Sequence, residues 1–163
     1  MKLTKILVPL DGSALAEAAL PRALELAQDS GAKVELLRAV EASTLPGVDP
    51  TEAQIKVVKE GEAYLVDVAA RLRAGGVQAV ETSVWYGPPA YAIVEAGRLH
   101  KADLIVMTTH GRSGLGRLIL GSVAESVLRG TTVPIFLMRA AEAPVESTAG
   151  KGVAKPWPEI RHV

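Results

Sequence analysis

The sequence predicts an α/β fold in which a five-stranded parallel sheet carries helices on both faces. Five short apolar runs alternate with four segments in which apolar residues recur at helical spacing. The runs are also apolar almost throughout, which is typical of strands buried on both faces of a parallel sheet. Parallel strands need crossover helices, so this strict alternation predicts one doubly covered sheet, and 163 residues fit a single domain of ordinary size.

The first two strands come from the first 40 residues. Residues 5–10 form an apolar run that ends at an Asp-Gly-Ser turn, and Lys33–Val40 form the next run. Between them, apolar residues recur at helical spacing, with Ser13 available as the N-cap. Pro21 lies inside this helix. We expect it to kink the helix or to mark a later start, because proline has no N–H to donate.

The rest of the sheet follows the same alternation. A loop over residues 41–50 contains two prolines and a glycine, and it leads to a long helix over about residues 51–74 that stops at Gly75. The remaining strands are predicted over residues 77–86, 102–109 and 131–139, with helices around residues 90–97 and 120–128 between them.

Composition argues against several classes of function. Lysine plus arginine equals aspartate plus glutamate, 18 of each, so the formal net charge is zero and broad nucleic-acid binding is not expected. The absence of cysteine excludes disulfides and thiolate metal sites, and it favours a cytoplasmic location. The first residues show no signal-peptide pattern and no apolar run reaches the length of a bilayer, so we expect no membrane partner.

The pattern changes beyond residue 139. Residues 140–163 have no apolar period and are rich in alanine, proline, glycine and charge, which is the composition of a flexible tail. Trp157 stands between two prolines and is the obvious anchor if the tail docks. We therefore divide the chain into a domain over residues 1–139 and a tail over residues 140–163 that is either flexible or docked.

The glycine-rich stretch over residues 111–122, GRSGLGRLILGS, is a candidate phosphate site. It is neither a Walker A loop nor a dinucleotide fingerprint, because the required residues do not follow at the required spacing. Gly121 and Ser122 fall at the start of the fourth helix, where unpaired N–H groups and the positive end of the helix dipole favour an anion. Arg112 and Arg117 add positive charge nearby. From the residues alone, a connecting loop is an equally good interpretation.

Two stretches of the chain resemble the universal stress protein family. They are ILVPLDGS near the start and VMTTHGRSGLGRLILGSVAESVLRGTTVPIFLMR near the end, and the similarity covers nearly all of residues 3–139. The resemblance implies a Rossmann-like sheet of strand order 3-2-1-4-5. The ATP-binding branch carries the signature Gly-x2-Gly-x9-Gly-Ser/Thr. Gly111, Gly121 and Ser122 match its last three positions, whereas Thr108 stands where the first glycine belongs.

The resemblance also implies which residues meet the nucleotide. Asp11 is expected to help hold Mg²⁺ or Mn²⁺, or polar groups of the nucleotide, although from the residues alone it equally caps the turn that follows. Adenine is expected to be recognised by backbone groups of Ala39 or Val40, so ATP should bind better than GTP. The full set expected to bind ATP is Pro9, Asp11, Ala39, Val40, Met107, Thr108, His110, Gly111, Arg112, Gly121, Ser122 and Val123.

The function implied is that of an ATP-binding stress-response regulator with slow hydrolysis at most. Rapid phosphoryl transfer needs a positioned nucleophile and charge stabilisation, and no nucleophile–base pair is readable in the sequence. Whether the protein is an enzyme stays open. One alternative is a dimeric interaction module that binds no nucleotide, which the threonine at position 108 favours. A third is adenine-nucleotide chemistry of the kind performed by related ATP enzymes.

The resemblance further implies a homodimer. The last strand is expected at the edge of the sheet, and an exposed apolar edge needs cover. Pairing of two such edges across a twofold axis is a common solution. The alternative is that the tail covers the edge. The residues expected at the dimer edge are Val133, Ile135, Phe136 and Leu137.

Overall fold

The computed structural model describes residues 2–43, 46–109 and 120–139. In this part of the chain, five strands form one parallel sheet in the order β3-β2-β1-β4-β5, which confirms the predicted fold and strand order. The elements in chain order are β1 (Lys5–Pro9), α1 (Ala14–Glu17), α2 (Leu20–Ser30), β2 (Lys33–Val40), α3 (Pro50–Ala74), β3 (Val80–Tyr86), α4 (Pro89–Leu99), β4 (Leu104–Thr108), α5 (Ser122–Gly130) and β5 (Ile135–Met138).

The first predicted helix is divided in two. Ser13 caps α1, as predicted, by accepting a hydrogen bond from the backbone N–H of Ala16 at 3.1 Å. The chain then restarts as α2, with Pro21 in its first turn, where a missing N–H breaks no helical hydrogen bond. The later start that proline predicted is therefore confirmed.

Three strands begin later than their apolar runs suggest, because the preceding helices use the residues in between. The backbone N–H of Val77 donates to Leu72 in α3, that of Ala102 donates to Gly97 in α4, and that of Thr131 donates to Val127 in α5. A residue that closes a helix in this way cannot also extend the following strand. The apolar pattern continues through both, which is why the predicted strands were too long.

The sheet separates two hydrophobic cores. On one face, α2 and α3 cover side chains of β1 and β2 that alternate along each strand. On the other face, α4 and α5 cover the intervening side chains, among them Leu7, Leu37 and Met107. Helices therefore pack on both faces of the sheet, which leaves the carboxyl edge of the strands open to a site.

The strand β5 lies at one edge of the sheet, as predicted, and pairs with β4. Val133, Ile135 and Leu137 pack against the core beneath α4 and α5. Phe136 points to the other face and is 37% exposed, with the guanidinium carbon of Arg22 lying 5.5 Å from its ring centroid.

The tail over residues 140–163, with Trp157, lies outside the described residues, so its predicted character stays a prediction. Within the described ranges, no helix is both long and apolar enough to cross a membrane.

Candidate functional site

A cavity of about 620 Å³ opens at the carboxyl edge of the sheet. It lies where the strand order reverses, since β1 pairs with β2 on one side and with β4 on the other. Ligands of open α/β sheets bind in such crevices. The predicted residues that line it are Pro9, Asp11, Ala39, Val40, Met107, Thr108, Gly121, Ser122 and Val123.

The structure thus brings together nine of the twelve predicted residues, which come from four separate segments of the chain. The other three, His110, Gly111 and Arg112, lie outside the described residues. Their predicted contacts remain predictions.

The N-terminus of α5 forms one end of the cavity. Gly121 is the N-cap, and it has no side chain with which to cap the N–H groups of the first turn. The N–H of Gly121 itself donates to the carbonyl of Thr109 at 2.9 Å, which fixes the entry to the helix. Gly121, Ser122, Val123 and Ala124 all line the cavity. A helix start of this kind offers unpaired N–H donors and the positive end of a dipole.

The end of β2 forms another wall, and its backbone directions can be followed along the strand. The N–H of Leu10 donates to the carbonyl of Leu37 at 2.8 Å, so the polar groups of Leu37 point towards β1. The N–H of Gly87 donates to the carbonyl of Val40 at 3.0 Å, so those of Val40 point towards β3. Polar backbone groups alternate sides along a strand. Those of Ala39 therefore point past the end of β1, on the cavity side.

Asp11 holds the turn after β1. Its Oδ1 atom accepts hydrogen bonds from the backbone N–H of Ser13 at 2.9 Å and from the Ser13 hydroxyl at 2.6 Å. This is the turn-capping role that the residue type suggested. Asp11 also lines the cavity, so the structural role and a ligand-binding role are compatible.

Thr108, the departure from the glycine signature, ends β4 and is only 5% exposed. It lines the cavity beside Met107, which is also buried. Alternation along β4 places the Thr108 side chain on the face of Leu104 and Val106, opposite the face on which α4 and α5 cover Met107.

The charged side chains among the described lining residues are Asp11, Arg38, Glu41 and Glu60. Three are acidic and one is basic. A polyanionic ligand therefore needs the N–H groups of α5, a bound cation or both to offset this charge.

Several lining residues were not predicted. Gly87 and Pro89 directly follow β3 and therefore lie at the carboxyl edge of the sheet, where ligands of such sheets bind. They could have been predicted from this position in the sequence. Val57 and Glu60 lie on α3, which runs for 25 residues and reaches the cavity with its N-terminal half. No sequence pattern reveals that this part of α3 lies beside the cavity. Among the described residues, no cluster of three or more His, Cys, Asp or Glu is placed to hold a metal ion.

The comparisons with known proteins agree with this architecture. The family model described as "Universal stress protein family" matches residues 2–139. A universal stress protein of Methanocaldococcus jannaschii is 35% identical over 140 residues, covering 83% of this chain and 81% of the relative.

Solved structures show the same relationship. A universal stress protein from Lactobacillus plantarum superposes with a TM-score of 0.74 at 25% identity, covering 85% of this chain and 99% of that one. A universal stress protein in complex with cAMP superposes with a TM-score of 0.68 at 25% identity, covering 86% and 100%. The chain belongs to the universal stress protein family.

Proposed function

We propose that this protein is a cytoplasmic, homodimeric stress-response regulator that binds ATP in the carboxyl-edge cavity and hydrolyses it slowly at most. The observation that carries the proposal is the pairing of two features in one cavity. The N-terminus of α5, where the N-cap Gly121 has no side chain, suits phosphates, and the backbone groups of Ala39 on the cavity side suit the edge of a base. A structural relative described as a complex with cAMP supports an adenine nucleotide as the ligand.

The phosphates would lie at the start of α5. The N–H groups of Ser122 and Val123, together with the Ser122 hydroxyl, are donors that a phosphate oxygen accepts from. Gly111 and Arg112 are proposed to complete this end, from the resemblance. Because the described lining carries more acidic than basic residues, the helix dipole and its N–H groups are the main attraction for anions in this part of the chain.

The base would lie against the end of β2. A backbone N–H and a carbonyl on one strand edge match the acceptor N1 and the amino group of adenine. Guanine presents a carbonyl and an N–H at the corresponding positions. The strand would then set donor against donor and acceptor against acceptor, so guanine should bind more weakly. Ala39 suits this role better than Val40, whose carbonyl already accepts from Gly87.

A divalent cation fits the donors present. Magnesium is commonly held by one or two carboxylates together with substrate phosphates. Asp11 supplies one such carboxylate at the cavity wall, and no companion carboxylate set is needed if phosphates provide the other ligands. When bound, Mg²⁺ or Mn²⁺ would neutralise phosphate charge, and Asp11 would orient it.

The side chains of the described lining support the proposal of slow hydrolysis. It contains Ser43, Ser122 and two threonines, but no histidine or lysine stands among these residues to serve as a base for them. Phosphoryl transfer is accelerated mainly by positioning and by stabilisation of the developing charge, and the described lining has one basic side chain against three acidic ones, so we expect slow hydrolysis.

The dimer would form through β5. The N–H of Ile105 donates to the carbonyl of Pro134, and that of Thr109 donates to the carbonyl of Met138, so even-numbered residues of β5 point their polar groups towards β4. The backbone groups of Ile135 and Leu137 therefore point to the open edge, where a second copy can pair.

Titration calorimetry with ATP and GTP in the presence of Mg²⁺ tests the proposed function. We expect ATP to bind at least about tenfold more tightly than GTP, since about 1.4 kcal/mol of hydrogen-bond mismatch gives a factor of ten. Equal affinities would show that the base is not held by Ala39. No uptake of either nucleotide would favour the other candidate, a dimeric interaction module, which Thr108 in place of glycine supports.

A further inference from the structure

The guanidinium of Arg38 lies between α3 and the turn that carries Asp11. Arg38 lies near the end of β2, and its guanidinium carbon is 4.7 Å from the ring centroid of Tyr64 on α3. On its other side the guanidinium meets the turn: a Cβ built on Gly12 would lie 3.1 Å from Nη1 and 3.3 Å from Nη2. Gly12 has φ +84°, a left-handed conformation that favours glycine. Arg38 is thus held between α3 and the turn.

The Tyr64 ring is itself anchored. Its hydroxyl donates to Oε1 of Glu17 at 2.8 Å, and Nη1 of Arg71 donates to the other oxygen of Glu17 at 2.9 Å. Burial, and then the hydrogen bond to Glu17, raise the pKa of Tyr64 above its usual range, so the phenol stays a neutral donor at physiological pH. Because Glu17 ends α1, α3 contacts one end of the segment that begins with Asp11 directly, and it reaches the other end only through Arg38 on β2.

The position of the Asp11 carboxyl depends on this segment. The carboxyl is tied to Ser13 two residues along, so a shift of Gly12 moves both partners of that contact. Gly12 and Tyr64 are not among the described residues that line the cavity, although Arg38 and Asp11 are. Arg38 therefore lines the cavity while its guanidinium packs close to Gly12 of the turn.

We propose that Arg38 is a positioning residue: seated between Tyr64 and Gly12, it holds the Asp11–Ser13 turn so that the Asp11 carboxyl faces a bound ligand. The ligand side of this proposal rests on the proposed nucleotide function. In this role Arg38 acts on the ligand through Asp11, by holding the turn that carries the carboxyl.

A double-mutant cycle on the full chain tests this role. Arg38→Met keeps much of the aliphatic stem and removes the cation. We expect it to weaken ATP·Mg²⁺ binding about tenfold, in the range of a lost cation–π contact. In an Asp11→Asn background the same change should have less than about a twofold effect, because its target is already gone. Equal effects in both backgrounds would overturn the proposal, since a merely structural loss does not depend on Asp11.

Arg22→Met is the matched control. It also removes a guanidinium from an aromatic ring, that of Phe136, but at the β5 edge of the sheet. We expect it to leave ATP·Mg²⁺ affinity within about twofold of the wild type. If Arg38→Met fails to fold, as judged by circular dichroism, Tyr64→Leu replaces it, since this change removes the ring that seats Arg38.

A ligand-free measurement separates this proposal from the proposed function. We expect hydrogen exchange of the Ser13 amide, whose N–H donates to Asp11, to be about tenfold faster in Arg38→Met and unchanged in Arg22→Met. Failure of the wild type to bind ATP would overturn the nucleotide function alone. Unchanged exchange at Ser13 in Arg38→Met would overturn the role of Arg38.

Discussion

At the scale of the residue, the hydroxyl of Ser122 gives the most specific prediction about the proposed phosphate end of the cavity. Ser122 is the first residue of α5 and lines the cavity. A hydrogen bond to a charged group contributes about 1.5–3 kcal/mol, so Ser122→Ala should weaken ATP binding by roughly ten- to a hundredfold. Titration calorimetry measures the ATP affinity. The control is Ser126→Ala, at an exposed position further along α5. Affinity within twofold of wild type would place the phosphates elsewhere.

Asp103 gives a pH-dependent prediction at the opposite edge of the sheet. Its Oδ2 atom accepts hydrogen bonds from the hydroxyl and N–H of Thr4 and from the N–H of Lys5, and these lower the pKa of Asp103. A carboxyl whose pKa is lowered on folding stabilises the protein above its unfolded pKa of about 3.9. That contribution is lost as pH falls through the lower, folded pKa.

Asp103→Asn tests this contribution by denaturant unfolding at two pH values. At pH 7 the variant should be less stable than the wild type by about 1 kcal/mol, a modest figure because the hydrogen bonds are partly exposed. At about pH 3 the difference should shrink, because the wild-type carboxyl is also becoming protonated. A difference that stays constant between the two pH values would show that the charge of Asp103 contributes nothing.

At the scale of the element, β5 predicts the oligomeric state. Its outward backbone groups at Ile135 and Leu137 and the exposed ring of Phe136 form one strand edge. We expect a dimer in dilute solution, and Phe136→Glu should weaken it by about tenfold or more, because the change brings two like charges near the twofold axis. Light scattering over a concentration series measures the dimer dissociation constant. A wild type that stays monomeric at micromolar concentration would favour coverage of the edge by residues 140–163.

The elements show how far the sequence predicts the fold. Strict alternation predicted every strand, because burial on both faces leaves a pattern that is local in the chain, whereas the order of the strands in the sheet came from the resemblance. Element ends were less predictable, since Val77 and Thr131 hydrogen-bond back to the preceding helices while remaining apolar or β-branched. The contribution of α3 to the cavity depends on how far a helix projects past the sheet, which no local pattern encodes.

At the scale of the whole molecule, the two edges of the sheet have different characters. Near the amino edge, Glu35 is only 2% exposed, and its Oε1 atom accepts from the Ser83 hydroxyl at 2.8 Å and contacts Nδ1 of His100 at 2.6 Å. The Lys5 ammonium lies 3.6 Å from its other oxygen. This cluster joins β1, β2 and β3 to the end of α4, so its charged and polar side chains connect elements of the fold. These residues are too far apart in sequence to have been predicted as partners.

At the carboxyl edge, by contrast, polar groups face a cavity. Nine of the 22 described lining residues were predicted: the glycine-rich stretch pointed to the start of α5, and the resemblance supplied the others, among them Asp11 and Ala39. The sequence did not predict Arg38 beside the turn, because the contacts with Gly12 and Tyr64 join three segments of the chain. The amino edge therefore holds a buried ionic cluster, and the carboxyl edge holds the cavity in which we propose that the ligand binds.

The central claim is that the start of α5 holds the phosphates of ATP, and Gly121→Asp tests it most directly. The change places a carboxylate where the phosphates should lie, while the backbone of Gly121, at φ −62°, accepts any residue. Titration of ATP·Mg²⁺ should show a loss of more than about a hundredfold, through both steric and charge repulsion, with circular dichroism unchanged. Undiminished affinity in a well-folded Gly121→Asp protein would contradict the account.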